Sequence, residues 1–398
     1  QNRIFSGDGN GTFTLTHQFN DNAKTIKSAL LDIDKDGYLD IVFANQLASG
    51  STGAKNVIHM NNNGSFNNSA AIYMNDTDNT IEIQVADFNA DGWQDIIFGN
   101  QEHNKIHLNR NGTFINTSDW SEPKVMYNAT QTEYFVASQS IHVADINGDG
   151  ILDYITGNIK PTTAFWPTGF YVWLGNGNGT YGTWHQQYSE YYFSWTNTFN
   201  VVSVDIALVD LDGDSDLDLI ASTVNNASRT PLEHHIYLQN QSTDSLFDKQ
   251  ESWYTNSAKC GARMDIADVD LDGALDVIFG HWQCAEQVNV STDVYVFDGT
   301  WPPSQSPAWT APGIGWSFDS EFIDIDEDGD LDAVILGSDY NYVTNTREDS
   351  RLFVHLNPRM NQDKDNHEDH EDDCPTKWGE STHDRVACPD SDGDGWSD

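Results

Sequence analysis

An acidic nine-residue motif of the form D-x-D/N-x-D-G-x-x-D recurs along the chain, and each copy follows a short apolar run. Alternating carboxylates converge on one point when the backbone wraps around it, and a glycine after the third acidic position allows the sharp turn. Like charges packed so closely repel strongly unless a cation lies between them. Hard oxygen ligands without His or Cys favour calcium over zinc or copper, so the motif predicts a series of calcium-binding loops.

We number the seven copies loops 1 to 7 in chain order. The predicted metal-binding residues are the acidic and amide positions of all seven loops, together with the seventh residue of each of the first six. They are Asp32, Asp34, Asp36, Tyr38, Asp40, Asp87, Asn89, Asp91, Trp93, Asp95, Asp145, Asn147, Asp149, Ile151, Asp153, Asp210, Asp212, Asp214, Asp216, Asp218, Asp268, Asp270, Asp272, Ala274, Asp276, Asp324, Asp326, Asp328, Asp330, Asp332, Asp390, Asp392, Asp394 and Asp398.

The spacing of the loops predicts the fold. The first six recur every roughly 55 to 65 residues, which suits a unit of about four short strands. Runs such as Leu39–Phe43 and Gln94–Phe98 are short, β-branched and aromatic, and none is long enough to predict a helix. Turns such as Asn62–Ser65 contain Asn-Gly, which favours a tight hairpin between the third strand and the fourth. The chain is therefore predicted to be all-β, as a propeller or a related closed array.

These units resemble FG-GAP repeats, also called VCBS repeats, of the kind that form the β-propeller head of integrin α subunits. The segments Ile97–Asn100 and Ile278–His281 carry the Phe-Gly pair, and Leu174–Tyr181 matches the turn between the third and fourth strands. The resemblance covers about residues 1–358 and implies four-stranded antiparallel blades in a ring of about seven, with calcium in the acidic loops. Ser215 replaces the usual glycine in loop 4, and an Asn replaces a carboxylate in loops 2 and 3, so calcium affinity is expected to vary.

The number of blades has two alternatives. Residues Ile4–Phe13 resemble the third and fourth strands of a repeat without its acidic loop, and Leu352–Leu356 resemble a third strand without a fourth. Either the N-terminal strands complete the last blade of a six-bladed ring, or the first blade is truncated and the parent ring has seven. The residue Gln1 in place of an initiator Met fits a processed chain or a fragment.

The charge balance indicates a protein outside the cell. Asp plus Glu number 62 against 19 Lys plus Arg, giving a formal net charge of -43. About thirty of these acids lie in the loops, where calcium at extracellular concentration would neutralise much of their charge. A solvated acidic surface of halophilic type is the alternative source of the imbalance. Such a surface makes nucleic acid an improbable partner, and no apolar run reaches the roughly 20 residues that a membrane span needs.

The cysteines and the C-terminal region agree with this compartment. Cys260 and Cys284 are equidistant from Asp272, which predicts a disulfide across the first two strands of that unit, with two buried free thiols as the alternative. Residues 374–398, with Cys374 and Cys388, resemble the start of a thrombospondin type 3 repeat, another calcium-dependent module, and a second disulfide is expected there. Residues 359–373 are predicted to be an acidic flexible linker, because they are polar and charged without apolar periodicity. The H-E-x-x-H of a zinc protease is absent from them.

The sequence favours recognition over catalysis. No nucleophile elbow, phosphate loop or dinucleotide motif is present, and the pair His234 and His235 is expected to be packed or solvated at the start of a strand. Aromatic residues are concentrated in 162–171, 181–199 and 301–316, where they either fill the blades or contact a ligand. The predicted function is adhesion or recognition of a glycan or protein by a calcium-stabilised extracellular propeller, not an enzyme. The alternatives are a lyase-type enzyme acting on polysaccharides and a structural spacer of a large surface protein.

Overall fold

The computed structural model describes most of residues 1–355 and a few positions beyond them. The described residues are 1–7, 13–21, 23–46, 54–123, 125–127, 132–134, 137–159, 170–182, 201–225, 231–239, 246–247, 251–282, 291–311, 316–325, 330–341, 346–355, 385, 388–389, 391 and 396. Apart from a 3-10 turn at Asn68–Ala70, the secondary structure within these ranges consists of strands. The prediction of an all-β fold is confirmed.

The chain divides into two compact units. The first contains residues 1–210, 215–254 and 258–261, and the second contains residues 211–214, 255–257 and 262–398. The first unit begins with a two-stranded N-terminal hairpin and continues with four sheets, which we call sheets 1 to 4. Sheet 5, from Ala262 onward, and sheet 6 belong to the second unit.

The first unit contains small two-stranded hairpins in addition to sheets 1 to 4. The N-terminal hairpin consists of β1 (Arg3–Gly7) and β2 (Phe13–Gln18). Sheet 1 contains β3 (Lys24–Leu31), β4 (Asp40–Gln46), β5 (Val57–His59) and β8 (Ile72–Tyr73), with the small hairpin β6 (Asn61–Asn62) and β7 (Ser65–Phe66) between the last two. Sheet 2 contains β9 (Thr80–Ala86), β10 (Asp95–Asn100), β11 (Lys105–His107) and β12 (Trp120–Ser121). A separate hairpin, β13 (Val125–Tyr127) and β14 (Thr132–Tyr134), precedes sheet 3, which contains β15 (Ala137–Ala144), β16 (Asp153–Ile159) and β17 (Phe170–Trp173).

The remaining sheets follow the same order of strands. Sheet 4 contains β18 (Val201–Val209), β19 (Asp218–Asn225), β20 (His235–Tyr237) and β21 (Trp253–Tyr254). Sheet 5 contains β22 (Gly261–Ala267), β23 (Asp276–His281), β24 (Asp293–Tyr295) and β25 (Trp309–Thr310). Sheet 6 contains β26 (Trp316–Ile323), β27 (Asp332–Asn341) and β28 (Thr346–His355). In all six sheets neighbours in sequence are neighbours in space, so each sheet is an antiparallel meander, as the repeat pattern predicts.

The second strands of sheets 1 to 5 are apolar because they are covered on both faces. In β4 the residues from Asp40 to Asn45 are all buried, and every residue of β10 and β23 is buried. Strands that are buried on both faces have continuous apolar runs and do not alternate between apolar and polar residues. This burial accounts for the runs of Ile, Val and Phe that follow each acidic loop.

Consecutive sheets within one unit pack face to face. Val42 and Ile58 of sheet 1 share a hydrophobic cluster with Ile83 and Phe98 of sheet 2. Equivalent clusters join sheet 2 to sheet 3 and sheet 3 to sheet 4, and in the second unit another joins sheet 5 to sheet 6. The first strand of sheet 2 contacts both the first and the second strands of sheet 1, and the first strand of sheet 3 contacts the same pair in sheet 2. Stacked four-stranded antiparallel sheets of this kind are typical of propeller blades.

Candidate metal sites in the acidic loops

Each of loops 1 to 6 joins the first strand of a sheet to the second. Loops 1, 2, 3 and 5 are described in full and each lies within one unit, whereas loop 4 is divided between the units. Loop 6 is described only at residues 324–325 and 330–332, and loop 7 only at Ser391 and Trp396. The predicted ligands outside the described residues are Asp326, Asp328, Asp390, Asp392, Asp394 and Asp398. Their role in metal binding stays a prediction.

The first aspartate of each loop accepts hydrogen bonds from the backbone of the same loop. In loop 1 the Asp32 carboxylate accepts bonds from the backbone N–H of Asp36 at 3.1 Å and of Gly37 at 3.0 Å. Asp87 and Asp145 accept the equivalent pairs in loops 2 and 3, at 2.7 to 3.1 Å. These bonds curl the loop toward its first carboxylate, which brings the alternating side chains to the inside of the turn.

Two positions in each loop adopt a left-handed backbone. The sixth residue is glycine in loops 1, 2, 3 and 5, with φ of +85° to +93°, and Ser215 takes the same region in loop 4 at +75°. The fourth residue is also left-handed, although it is Lys35, Ala90 and Leu271 in loops 1, 2 and 5. This region costs a residue with a side chain roughly 1 to 2 kcal/mol, and such strain is concentrated at functional sites. The sequence predicts the turn at the sixth residue, but at the fourth it gives a signal only in loops 3 and 4, where Gly148 and Gly213 are left-handed at +72° and +78°.

The gathered carboxylates form groups that could hold a metal ion. In loop 1 one oxygen from each of Asp32, Asp34 and Asp36 lies within 4.8 Å of the others. In loop 5 the same is true of Asp268, Asp270 and Asp276. One oxygen of Asp268, Oδ1, is buried and has no hydrogen-bond partner among the described residues. Hard, anionic oxygens at this density fit a calcium ion, which would supply the partner that this buried oxygen needs.

Loops 2 and 3 differ from loop 1 at their third position. The Asn89 amide donates a hydrogen bond to Asp91 Oδ2 at 3.0 Å, and Asn147 donates to Asp149 Oδ2 at 3.2 Å. The amide therefore replaces a repulsion between two carboxylates with a hydrogen bond while keeping one oxygen available. Since calcium affinity depends on the number of charged ligands, these loops are expected to bind the ion more weakly than loop 1.

The ninth aspartates of loops 1, 2, 3 and 5 are buried and accept backbone hydrogen bonds on both oxygens. Asp95 accepts hydrogen bonds from the N–H of Phe88 at 2.9 Å and of Asn109 at 2.7 Å. The same pair of bonds is made by Asp40 with Ile33 and Asn61, by Asp153 with Ile146 and Gly175, and by Asp276 with Val269 and Phe297. One bond closes the start of the loop and the other holds the residue beyond the third strand. This aspartate therefore ties the loop to its own sheet.

Burial raises the pKa of these ninth carboxyl groups. Desolvation, together with the neighbouring loop carboxylates, raises the pKa of Asp95, Asp153 and Asp276 to about 6, even though the backbone donors oppose the shift. The pKa of Asp40 is raised for the same reason. A calcium ion beside these groups would favour their ionised form, because a bound cation is the largest local charge.

In the first unit the loops also contact the next sheet. The Asn109 side chain of sheet 2 donates to the carbonyl of Ile33 in loop 1 at 2.9 Å. The N–H of Gly179 in sheet 3 donates to Phe88 of loop 2 at 3.0 Å, and the Gln239 side chain of sheet 4 donates to Ile146 of loop 3 at 3.0 Å. In all three loops the acceptor is the residue after the first aspartate. The conformation of each of these three loops is therefore coupled to the packing of two sheets.

A family model matches the part of the chain that contains loops 1, 2 and 3. The family model for the FG-GAP-like repeat matches residues 32–98 and, in a second overlapping copy, residues 87–156. These two segments are FG-GAP-like repeats. Each match begins at the first aspartate of an acidic loop and runs into the following sheet, as the Phe-Gly pair and the loop spacing predicted. No curated protein sequence is similar to the chain.

Solved structures that match the chain at low sequence identity include the following three. An Agrocybe aegerita lectin, from a structure of its recognition of non-reducing terminal N-acetylglucosamine, is 18% identical with a TM-score of 0.45 over 78% of this chain and 73% of its own. The V. cholerae biofilm matrix protein Bap1 is 14% identical with a TM-score of 0.42, over 74% and 41%. BBS1N in complex with ARL6DN is 11% identical with a TM-score of 0.41, over 85% and 94%.

In loops 1, 2, 3 and 5 the backbone of the seventh residue is held by the aspartate at the fifth position. The N–H of Tyr38, Trp93, Ile151 and Ala274 each donates to the aspartate two positions earlier, at 2.7 to 2.9 Å. The Lys35 ammonium of loop 1 donates to the carbonyl of Gly92 at 2.7 Å and lies 4.1 Å from the centre of the Trp93 ring. Loops 1 and 2 are thus in direct contact. Asp216 is partly buried and Asp330 is buried, and their role as ligands stays a prediction.

Several other predicted residues lie in the core. Phe170, Tyr171 and Tyr181, from the aromatic-rich segments, are buried and fill the packing between sheets. His234 is buried and its Nδ1 accepts from the N–H of Thr223 at 3.2 Å, while burial lowers the pKa of His235 to about 4. Both histidines are therefore held within the fold, His234 by this hydrogen bond and His235 on strand β20. The other aromatic residues of 162–169 and 183–199, and the linker, lie outside the described residues.

The cysteines are described only in part. Cys260 and Cys388 are buried, and neither is a free cysteine. Cys284 and Cys374 lie outside the described residues, so the predicted pairs stay predictions. The described part of the chain contains no helix long and apolar enough to cross a membrane.

Proposed function

We propose that the protein is a calcium-stabilised β-propeller of FG-GAP-like repeats that acts outside the cell in adhesion or recognition. The observation that carries this proposal is the double attachment of the acidic loops in the first unit. Each loop is tied to its own sheet by the ninth aspartate and to the next sheet through the residue after the first aspartate. An ion that orders such a loop stabilises the stack of sheets, and a rigid stack presents its connecting loops as a fixed surface for recognition.

Calcium is the proposed ion because of the ligands and the compartment. The carboxylate groups of loops 1 and 5 supply oxygen alone, and sites built from oxygen prefer calcium to zinc or copper. Loops with an amide at the third position bind weakly, and only an extracellular calcium concentration would fill them. The proposed disulfides, Cys260 with Cys284 and Cys374 with Cys388, would form in the same oxidising compartment.

The partner is proposed to be a glycan or a protein, without catalysis. Phe170, Tyr171 and Tyr181 are buried, and Trp301 and Trp309 are partly buried. Recognition would therefore fall to the loops outside the described residues and to exposed rings such as Tyr38 and Tyr73. A ring of six or seven blades is proposed, with a short calcium-binding module after a linker. The two rival functions are a polysaccharide lyase and a structural spacer.

Binding assays with the calcium-loaded protein test this function. We expect a glycan array or a pull-down from extracellular matrix to give a ligand that is released by a chelator. A variant in which residues 183–199 are replaced by a Gly/Ser sequence of equal length should fold and lose that ligand. Cleavage of a polysaccharide with formation of unsaturated sugar ends would replace the proposal with the lyase. Absence of any ligand, with an intact calcium-dependent fold, would favour the spacer.

A further inference from the structure

The N-terminal hairpin has the backbone geometry of the outer half of a repeat. The N–H of Phe19, after β2, donates to the carbonyl of Asn2 at 2.9 Å. In complete sheets 1 and 2 the N–H of Met74 donates to Asn56 at 2.9 Å and that of Glu122 donates to Asn104 at 2.8 Å. Asn56 and Asn104 are the residues immediately before a third strand. Asn2 stands in the same place before β1.

The side chains of these three asparagines make the same contact with the following sheet. The amide of Asn56 donates to the Thr80 hydroxyl at 3.0 Å, and that of Asn104 donates to the Ser138 hydroxyl at 2.9 Å. The Asn2 amide donates to the Thr25 hydroxyl at 2.8 Å. In each pair the hydroxyl lies on the first strand of the next sheet. β1 and β2 therefore occupy the third and fourth strand positions ahead of sheet 1.

Within the described part of the chain, β1 has one strand neighbour where a third strand of a complete sheet has two. β5 pairs with the second strand β4 as well as with β8, and β11 pairs with β10 as well as with β12. Among the described residues, β1 pairs with β2 alone. One edge of β1 thus presents backbone N–H and C=O groups to which a further strand can be added.

The first strand of sheet 1 exposes the apolar face that would lie under such a strand pair. Ile26 is 39% exposed and Leu30 is 60% exposed on β3. The corresponding residues of sheet 2 are Ile81, which is 6% exposed, and Val85, which packs in the cluster between sheets 1 and 2. β9, which carries them, is contacted by β3 and β4, the first and second strands of the preceding sheet. For β3 the equivalent cover would be a first and a second strand beside β1, and the described residues contain no such strands.

We propose that the open edge of β1 and the apolar face of Ile26 and Leu30 together bind one β-hairpin, the inner half of a further FG-GAP-like repeat. Its two short strands are joined by an acidic loop of the D-x-D-x-D-G-x-x-D type. The second strand pairs antiparallel with β1, and its middle residue lies opposite Ile4, as Val42 lies opposite Ile58 and Ile97 opposite Ile106. The first strand covers Ile26 and Leu30. This inference rests on the proposed stacking of the repeats, but not on the identity of the ligand.

A hairpin from this chain serves as the probe. A dye-labelled peptide of residues 80–100, which contains the first strand, loop 2 and the second strand of sheet 2, is titrated into the full chain in calcium. We expect saturable binding and slower hydrogen–deuterium exchange at the amides of Arg3–Gly7. The same peptide with Ile97→Pro should bind at least about tenfold more weakly, because proline removes a donor from the pairing strand.

Two matched variants of the chain place the binding site. Leu30→Asp should weaken peptide binding at least about tenfold, since it puts a charge on the covered face. Ile115→Asp, at an exposed side chain outside that face and outside the acidic loops, should leave binding unchanged. Leu30 and Ile115 are both exposed, so circular dichroism should show native melting for both variants.

Three outcomes would overturn the proposal. They are failure of the peptide to bind, binding that Leu30→Asp does not weaken, and protection of β1 that rises with the concentration of the chain alone. The last would mean that a second copy covers the face. These results are separate from those for the proposed function, because neither the glycan array nor the pull-down reports on the β1 edge.

Discussion

The two ends of loop 1 place the same residue type in different surroundings. Asp32, Asp34 and Asp36 lie at the outer part of loop 1, where their oxygens gather and remain accessible. Asp40, at the inner end, is buried, and backbone N–H groups of Ile33 and Asn61 bind both of its oxygens. The outer carboxylates are suited to a cation that comes from solvent. The inner one replaces missing backbone partners within the fold.

One sequence motif therefore has two physical functions. Repulsion among the outer carboxylates has to be relieved by an ion, by protons or by an amide such as Asn89. The inner carboxylate would be required even without an ion, because two buried N–H groups would otherwise have no acceptor. The comparison therefore predicts that calcium and mutation affect the two ends by different mechanisms.

Removal of calcium should have the largest effect on stability. A site filled at 100 times its dissociation constant adds about 2.7 kcal/mol, and several loops contribute. We expect chelation to lower the melting midpoint strongly and calcium to restore it, as measured by differential scanning calorimetry. Magnesium at equal concentration is the control, since its octahedral preference fits these loops poorly. An unchanged midpoint would contradict the calcium function of the outer carboxylates.

Loss of one inner aspartate should be the next largest effect, and it should persist without calcium. Asp95→Ala leaves the buried N–H groups of Phe88 and Asn109 without an acceptor, at a cost of about 2 to 5 kcal/mol. The measurement is urea denaturation in chelator, where Asp91→Ala, at an exposed outer position of the same loop, serves as the control. Equal stability of the two variants would remove the distinction between the ends.

Exchange of the third residue between loops 1 and 2 should alter calcium affinity in opposite directions. Asp34→Asn gives loop 1 the ligand set of loop 2 and should weaken its calcium binding about tenfold, whereas Asn89→Asp should strengthen binding in loop 2. In chelator the stability changes should have the reverse signs, because the amide of Asn89 relieves repulsion by its bond to Asp91. Isothermal titration calorimetry and chelator melts provide both readings. Changes of the same sign in the two variants would contradict the prediction.

The smallest effect should come from a buried carboxyl group outside the loops. Burial raises the pKa of Glu122 well above its ordinary value of 4.5, so the folded chain binds this proton more tightly than the unfolded chain. The contribution of Glu122 to stability is therefore greatest below pH 4.5 and falls as the pH rises toward the folded pKa. Glu122→Gln should remove this dependence and change stability at neutral pH by no more than about 1 kcal/mol, in the stabilising direction. Urea denaturation across pH 4 to 8 measures the free energy of unfolding of this variant. A destabilisation as large as that of Asp95→Ala would show that burial alone explains the effect of the inner aspartates.

The sequence was sufficient to predict the strands and their order. Apolar runs such as Ile41–Phe43 and Ile96–Phe98 lie directly after an acidic loop. The Asn-Gly turns lie between the third and fourth strands, but the one at Asn63 closes the small hairpin β6–β7 and the one at Asn111 closes a single bridge, so neither joins the two strands directly. These signals are local, because a strand that is buried on both faces needs apolar residues at every position. The gathering of Asp32, Asp34 and Asp36 was predicted for the same reason, from alternation around a turn.

Features that depend on distant residues could not be predicted. Nothing in the spacing distinguishes Asp40 from Asp36, since the burial of Asp40 depends on Asn61, which lies beyond the third strand. The left-handed backbone of Ala90 and Leu271 leaves no sequence signal, because these residues do not favour that region. The contact between Asn109 and Ile33 joins positions 76 residues apart, and only the stacking of sheets brings them together.

The contact of Lys35 with loop 2 and that of Asn109 with loop 1 have a thermodynamic consequence for titration with ions. A loop made rigid by its own ion also fixes groups that belong to its neighbour, so the second ion orders less of the chain than the first. Successive loops should fill with positive cooperativity, and by reciprocity the loss of one ion should loosen the hold of the adjacent one. Along such a row, a modest fall in calcium would release several ions over a narrow range of concentration.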